Sequence, residues 1–291
     1  NQIVPGILDV LDDLGIRITF FVVGQDAAMQ QHHDVLRRIE AAGHEIANHS
    51  FHHETCLHRY TPEELDREIG LAENALQQIA GRKPIGFRGP GFSLSDQTLT
   101  TLIRRGYRYD GSTFPTWLAP LMRARYFMTG SFNRRQRKER EALFGKLSDG
   151  LLPNRAFYWK ADSGRILEIP VSTFPGCRLP IHATYLQYLA SSSGKAAASY
   201  WSIALKAFHA TGGSPSFLLH PLDFTGKDEQ PDLAFFPGMN LPTRDKIRAT
   251  HRFLDMLRDQ FELLTMQQFA DLQSGRDLPE RPIRRVRRGA S

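Results

Sequence analysis

HEIANHSFHHETCLH, His44–His58, runs from a short apolar stretch into a cluster of histidines, and it holds five of the chain's eleven. HEIANH reads as a short β-strand. His49 and His53 follow directly, four residues apart. Polar clusters at the C-terminal ends of strands are where an α/β barrel places its chemistry. Imidazole is also the commonest metal ligand among side chains.

Outward from this stretch, strand-like and helix-like segments alternate, which argues for an α/β fold with parallel strands. Residues 5–14 read as a helix with Ile7, Leu11 and Leu14 on one face and Gly15 after it. IRITFFVV, Ile16–Val23, is a near-continuous apolar run of the kind expected for a strand covered on both faces. Asp34–Ala42 is helical and ends at Gly43. Thr61-Pro62-Glu63-Glu64 is a capping box with proline at the first helical position. Leu65, Ile69, Ala72, Leu76 and Ile79 continue that helix. Ile85–Gly91 and Tyr107–Thr113 read as strands running into turns, separated by a helix that Ser95 caps. Leu167–Thr173, Ser216–His220 and Phe261–Met266 read as later strands. Ala196–Ala210 and a segment after Thr243 read as helices. Phe114–Lys160 interrupts the rhythm and reads as a basic, aromatic-rich insertion. One barrel-like domain over 1–275, with an insertion at about 114–160 and a basic tail at 276–291, accounts for the whole pattern.

Composition narrows the classes. With 41% hydrophobic and 23% charged residues among 291, the chain has the make-up of a globular protein. No apolar run reaches the roughly 20 residues of a membrane span. Cys56 and Cys177 are too few and too separated for a disulfide framework. The net charge is +6, but Arg281, Arg284, Arg285, Arg287 and Arg288 supply five of it, so the body is almost neutral. A second basic run lies at Asn133–Arg140. Solvated faces explain such runs better than nucleic-acid binding does, and no nucleic-acid partner is expected. Contact with an anionic lipid surface is a further reading. The opening residues lack a signal-peptide pattern and begin at Asn1. The first element is a helix where a barrel should begin with a strand, so an opening strand is expected to be missing.

Four strand ends carry candidate chemistry. His49 and His53 could bind one divalent ion together, and a catalytic zinc site usually adds a third protein ligand, commonly a carboxylate. Arg88, before Pro90, could hold a carboxylate, or could form an ordinary surface ion pair. Asp110, beside Gly111, could be a turn former. His220, at the end of SFLLH and before Pro221, could be a general acid or a buried, hydrogen-bonded histidine.

Taken in order, HSFHH (49–53), RGP (88–90), YD (109–110) and LLH (218–220) resemble the polysaccharide deacetylase family, carbohydrate esterase family four. The resemblance runs from Ile7 to about Met266, and FFVVG (20–24) is similar to that family's second strand. LEIPVSTFPGCRLPIHATYL and LLHPLDF resemble bacterial members associated with exopolysaccharide and envelope functions. The resemblance implies a distorted (β/α)7 TIM-like barrel and one divalent metal ion, zinc in the first instance, with cobalt or nickel as alternatives. It implies His49 and His53 as metal ligands and His220 as the general acid. Arg88 would orient a catalytic base, and Asp110 would tune the charges around the acid or the arginine. Pro90 and Gly91 would line the substrate groove, and Leu219 would receive the acetyl methyl. The family's first motif, TFDD or a close variant, has no counterpart. Asp12 and Asp13 sit in a helical pattern and do not supply it.

The activity so implied is metal-dependent removal of N-acetyl groups from amino sugars of a bacterial polysaccharide or envelope glycan. The chain would work in the cytoplasm or peripherally at the inner membrane. Deformylation or deacetylation of a lipid-linked amino sugar is the nearest alternative, and non-catalytic glycan binding is another. A phenylalanine, Phe92, follows Gly91 where many members carry an aromatic directly after the proline, which weakens the expectation of stacking on a sugar.

Overall fold

A computed structural model describes residues 3–129, 147–233 and 236–283. The described chain opens with α1 (Ile3–Asp13), which buries Ile7, Leu8, Val10 and Leu11 and leaves Asp12 and Asp13 exposed. β1 (Thr19–Val22) follows, then the short α2 (Gly24–Ala28) and α3 (His33–Ala41). β2 (Glu45–Asn48) pairs in parallel with β1, Thr19 opposite Glu45 and Val22 opposite Asn48. α4 (Pro62–Ala80) starts at the capping box: the Thr61 hydroxyl accepts from Glu64 N–H, and the Glu64 carboxylate accepts from Thr61 N–H. Its buried stripe is Leu65, Ile69, Ala72 and Leu76, as the spacing requires.

β3 (Gly86–Phe87) and β4 (Tyr109–Asp110) extend the parallel sheet, with α5 (Asp96–Arg104) between them. Ser95 caps α5 by accepting from Thr98 N–H. Gly86 is required by its neighbour. A Cβ there would lie 1.9 Å from Cζ of Tyr109. The Tyr109 ring crosses that space, and its hydroxyl donates to Glu45 Oε1 at 2.7 Å. Thr19 Oγ1 donates to Glu45 Oε2 at 2.5 Å, and Gln267 N–H adds a third bond at 2.9 Å. A buried carboxylate is tolerated here because its oxygens are bonded on every side.

Beyond α6 (Ala119–Thr129), the antiparallel hairpin β5 (Phe157–Ala161) and β6 (Gly164–Glu168) breaks the parallel rule. β6 joins β4 in parallel, with Asp110 opposite Glu168. α7 (Ala183–Ala190), α8 (Gly194–Thr211) and α9 (Thr243–Arg258) form the C-terminal core around Trp201, Leu205, Phe208, Phe253 and Leu257. After α10 (Met266–Gln273), β7 (Glu280–Pro282) pairs with β5. The expected basic tail therefore begins by adding a strand. Arg284, Arg285, Arg287 and Arg288, and the Asn133–Arg140 run, lie outside the described residues.

The expected closed barrel is corrected. The sheet is open, in the order β1-β2-β3-β4-β6-β5-β7. Closure needs a ladder joining the two edges. The segments expected to approach that gap, Ser216–His220 and Phe261–Met266, form no ladder. Ser216 accepts from Ser172 N–H through its carbonyl and donates its own N–H to Ser172 Oγ, and the Leu218 carbonyl accepts from Ala183 N–H. Isolated bonds of this kind fix a chain without making it a strand. The edge position also explains β1. Its four residues are all half-buried, where the apolar run implied cover on both faces, and β2 is buried throughout. Among the described residues no helix is long and apolar enough to cross a membrane.

Candidate active site

The loop after β2 is built around strained backbone. Ser50 and His53 have φ of 64° and 59°, conformations that side chains other than glycine's adopt at a cost. Bonds from three directions hold them. Asn48 Oδ1 accepts from Ser50 N–H at 2.8 Å, and Ser50 Oγ accepts from His53 N–H at 3.1 Å. Glu68, on α4, accepts from Phe51 and His52 N–H through Oε1, at 2.9 and 2.6 Å, and its Oε2 lies 2.8 Å from His52 Nδ1. Gly24 and Gln25 N–H reach the Ser50 and Phe51 carbonyls.

His49 and His53 are brought together, with ring centroids 4.9 Å apart. His49 Nδ1 lies 2.6 Å from the Arg88 carbonyl. A carbonyl can only accept, so Nδ1 carries the hydrogen and Nε2 keeps its lone pair. Burial, then the His53 and Arg88 charges, push the His49 pKa down to about 3 against the opposing backbone bond. Burial also lowers His53, while Asp26 and Glu54 oppose it. Both rings are thus held in the neutral form that ligates metals. The pair fits two positions of a divalent ion's shell. A catalytic zinc site takes about three protein ligands, and among the described residues no group of three His, Cys, Asp or Glu side chains could hold one.

The remaining histidines of the cluster have structural partners. His44 Nδ1 accepts from Ile18 N–H, His52 meets Glu68, and His58 meets Ser93 Oγ.

Arg88 is buried. Its Nε donates to Gly111 O at 2.8 Å, and its guanidinium lies 4.2 Å over the Phe21 ring. Burial lowers its pKa to about 10, and Tyr109, Asp110 and Glu168 oppose that shift. Asp110 is fully buried. Its carboxylate accepts from Ser112 Oγ at 2.6 Å and from Ser112 N–H at 3.2 Å, the local bond of a turn former. It is also hydrogen-bonded to Glu168. Glu168 accepts from Thr113 N–H and Oγ1 and from Trp159 Nε1. Burial, then the Asp110 charge, raises the Glu168 pKa well above its usual range. Burial raises Asp110 too, against its hydrogen bonds and Arg88. Two adjacent buried carboxyls cannot both ionise cheaply, so the Asp110 charge raises the Glu168 pKa, while Arg88 favours the ionised form of Asp110.

Pro90–Phe92 forms a 3-10 turn in which Gly91 has φ 60° and ψ 24°. Phe92 stacks on Phe114 with centroids 5.1 Å apart. Leu219 is half-buried against the α1–β1 cluster, and its neighbour Leu218 packs with Phe114 and Val171.

His220 shows 46% of its side chain to solvent, yet its ring is crowded. Burial lowers its pKa, Asp223 opposes that, and Arg88 adds to it. His220 in turn lowers His49 electrostatically. These mutual effects bring the HSFHH, RGP and LLH motifs close together. The carboxylate beside His220 is Asp223, whose Oδ2 lies 3.9 Å from its Nδ1. Sequence reasoning missed Asp223, Thr184, Glu68, Glu168 and His182. His182 stands 6.2 Å from His220 between ring centroids. Only the i+3 spacing of Asp223 from His220 could have signalled its role, because the others join across long separations.

Residues 1–109 match the model of the polysaccharide deacetylase family. A peptidoglycan deacetylase-like protein of Gibberella zeae is 34% identical over 36% of this chain and 31% of its own length. A chitooligosaccharide deacetylase of Azorhizobium caulinodans is 28% identical over 56% of this chain and 75% of its own length. The crystal structure of a putative polysaccharide deacetylase from Mycobacterium smegmatis superposes with a TM-score of 0.63 at 21% identity, covering 97% of this chain and 80% of that one. It shares the fold. The chain spans about a third of the fungal deacetylases it matches, 31% and 37% of their lengths. This chain is thus similar to the polysaccharide deacetylase family over residues 1–109, and to deacetylase relatives over 36% to 56% of its length.

Proposed function

We propose that this chain forms part of a metal-dependent N-deacetylase acting on N-acetylated amino sugars of a bacterial polysaccharide or envelope glycan. The observation that carries the reading is the His49–His53 pair, with His49 Nδ1 tied to the Arg88 carbonyl and His220 near enough to act on His49 electrostatically. Relatives described as a chitooligosaccharide deacetylase and a peptidoglycan-N-acetylmuramic acid deacetylase support this substrate class.

In this reading His49 and His53 hold the ion, zinc in the first instance. When bound, such an ion supplies a Lewis acid for the carbonyl and lowers the pKa of water. His220 as imidazolium gives the Nε2 proton to the departing amine. Pro90 and Gly91 border the groove, with Leu219 beside it. Arg88, with the Asp110–Glu168 pair behind it, presents a fixed positive charge for orienting a carboxylate base.

The test uses full-length protein. Bound metal and acetate released from N-acetylglucosamine oligomers are measured for wild type and His49→Ala. Loss of both in the variant is expected. Retention of metal and turnover would sink the proposal. Non-catalytic glycan binding is the second reading, favoured by the two-ligand set among the described residues. Tight oligosaccharide binding without metal uptake would establish it.

A further inference from the structure

We propose that Thr184 and Asp223 form a hydrogen-bonded relay that holds His220 in its Nδ1–H tautomer and leaves Nε2 for the substrate. Its catalytic use rests on the function proposed above, but the tautomer does not.

Thr184 Oγ1 lies 2.7 Å from Asp223 Oδ1 and 3.1 Å from His220 Nδ1. A threonine hydroxyl has a single hydrogen. An ionised carboxylate can only accept, so that hydrogen goes to Asp223. The Thr184 oxygen must then accept from His220 Nδ1–H. The second oxygen of Asp223 accepts from the His220 backbone N–H at 2.7 Å, so one carboxylate fixes both the main chain and the ring of His220.

The relay stands on a rigid base. Asp223, Gln187 and Thr250 are fully buried. Gln187 Nε2 donates to the Asp223 carbonyl and to Thr250 Oγ1, both at 2.7 Å. Lys246 Nζ, buried nearby, donates to the Leu222 carbonyl at 2.5 Å. Burial raises the Asp223 pKa, while His220, its backbone N–H, Thr184 and Lys246 all favour the ionised form. The groups facing His220 are Asp223, which favours its imidazolium, Arg88, which opposes it, and the neutral rings of His49 and His182.

The chemistry needs this orientation. An imidazolium that gives its Nε2 proton to a leaving amine is left as the Nδ1–H tautomer. Thr184 already bonds that product form, so no reorientation accompanies the transfer. Free imidazole side chains favour the Nε2–H form, so the relay reverses an intrinsic preference.

The experiment is 15N NMR of histidine-labelled full-length protein above the His220 titration, with His220→Gln assigning the signal. Wild type and Thr184→Ser are expected to show Nδ1–H, and Thr184→Val to shift towards Nε2–H. An Nε2–H wild type, or an unchanged tautomer in Thr184→Val, overturns the proposal. If Thr184→Val does not fold, wild type and Asp223→Asn decide: a wild-type Nδ1–H signal lost in Asp223→Asn supports the relay, and a signal kept in it overturns the relay. In turnover, Thr184→Val should lower kcat by about tenfold or more with KM little changed, and Thr184→Ser should restore it. The tautomer is read without any deacetylation, so a failed activity assay would count against the function and leave the relay standing.

Discussion

Replacing Glu68 tests whether the Ser50–His53 loop is held by the helix behind it. Ser50 and His53 sit at φ 64° and 59°, which costs about 1 kcal/mol each relative to ordinary backbone. Glu68 offsets this by accepting two loop N–H groups at 2.9 and 2.6 Å. Glu68→Ala leaves both without their acceptor, at about 1–3 kcal/mol each if dry. Phe51 is half-buried and His52 exposed, so water recovers part, and the expected loss is at the low end, about 2–3 kcal/mol in all. Glu68→Gln keeps a carbonyl oxygen at the Oε1 position for both donors and should cost only about 1 kcal/mol through lost charge assistance. Urea unfolding at neutral pH gives the stabilities. Zinc titration against a competing chelator reports the His49–His53 geometry, which should weaken in Glu68→Ala and largely survive in Glu68→Gln. A Glu68→Ala protein within about 0.5 kcal/mol of wild type, the usual range for inconsequential surface changes, would refute the reasoning. So would a Gln variant as damaged as the Ala variant.

The other predictions concern pH, packing and metal. The His182 pKa is pushed from 6.5 down to about 3 by burial and then by the His220 charge. The unfolded chain therefore binds the proton first, and stability present above pH 6.5 should be lost as pH falls towards 3, by at most about 1.4 kcal/mol per unit from this group. Urea midpoints at pH 7 and 5 should differ less in His182→Phe than in wild type, and an unchanged difference counts against the assignment. Gly86→Ala forces a Cβ to within 1.9 Å of Tyr109 and should destabilise by about 3 kcal/mol; a normal melting curve would show that the ring can move aside. Zinc at a hundredfold excess over its Kd should stabilise wild type by about 2.7 kcal/mol. The gain should vanish in His53→Ala, and equal gains in both proteins would place the ion elsewhere.

Local elements were legible where local chemistry decides them. The Thr61–Glu64 box, the Ser95 cap and the Leu65–Leu76 stripe each contain their own signal, and the corresponding helices form. The strand-end histidines were legible too, because a short apolar run ending in polar residues marks the C-terminal edge of a parallel sheet. Ser216–His220 and Phe261–Met266 carried an equally good apolar signal and yet form no ladder. Strand formation depends on a neighbour at the right distance, which a segment's own residues do not encode. β5 and β7 were hidden for the converse reason: FYWKA lies almost wholly inside an apparent insertion and ERP inside an apparent tail, and pairing with β6 and with each other makes them strands.

The site divides along the same line. Residue type and order pointed to His49, His53, Arg88 and His220 as one set, since side-chain chemistry is a local property, although His220 ends a segment that forms no strand. Tertiary structure decided which atom of each is available. The Arg88 carbonyl frees Nε2 of His49 across 39 positions, and Glu68 holds the loop across 16. Thr184 reaches His220 across 36, and Glu168 shares the burial of Asp110 through sheet register. Tautomer, protonation and strain are set by whatever stands within about 3 Å in space, and the sequence does not list those neighbours.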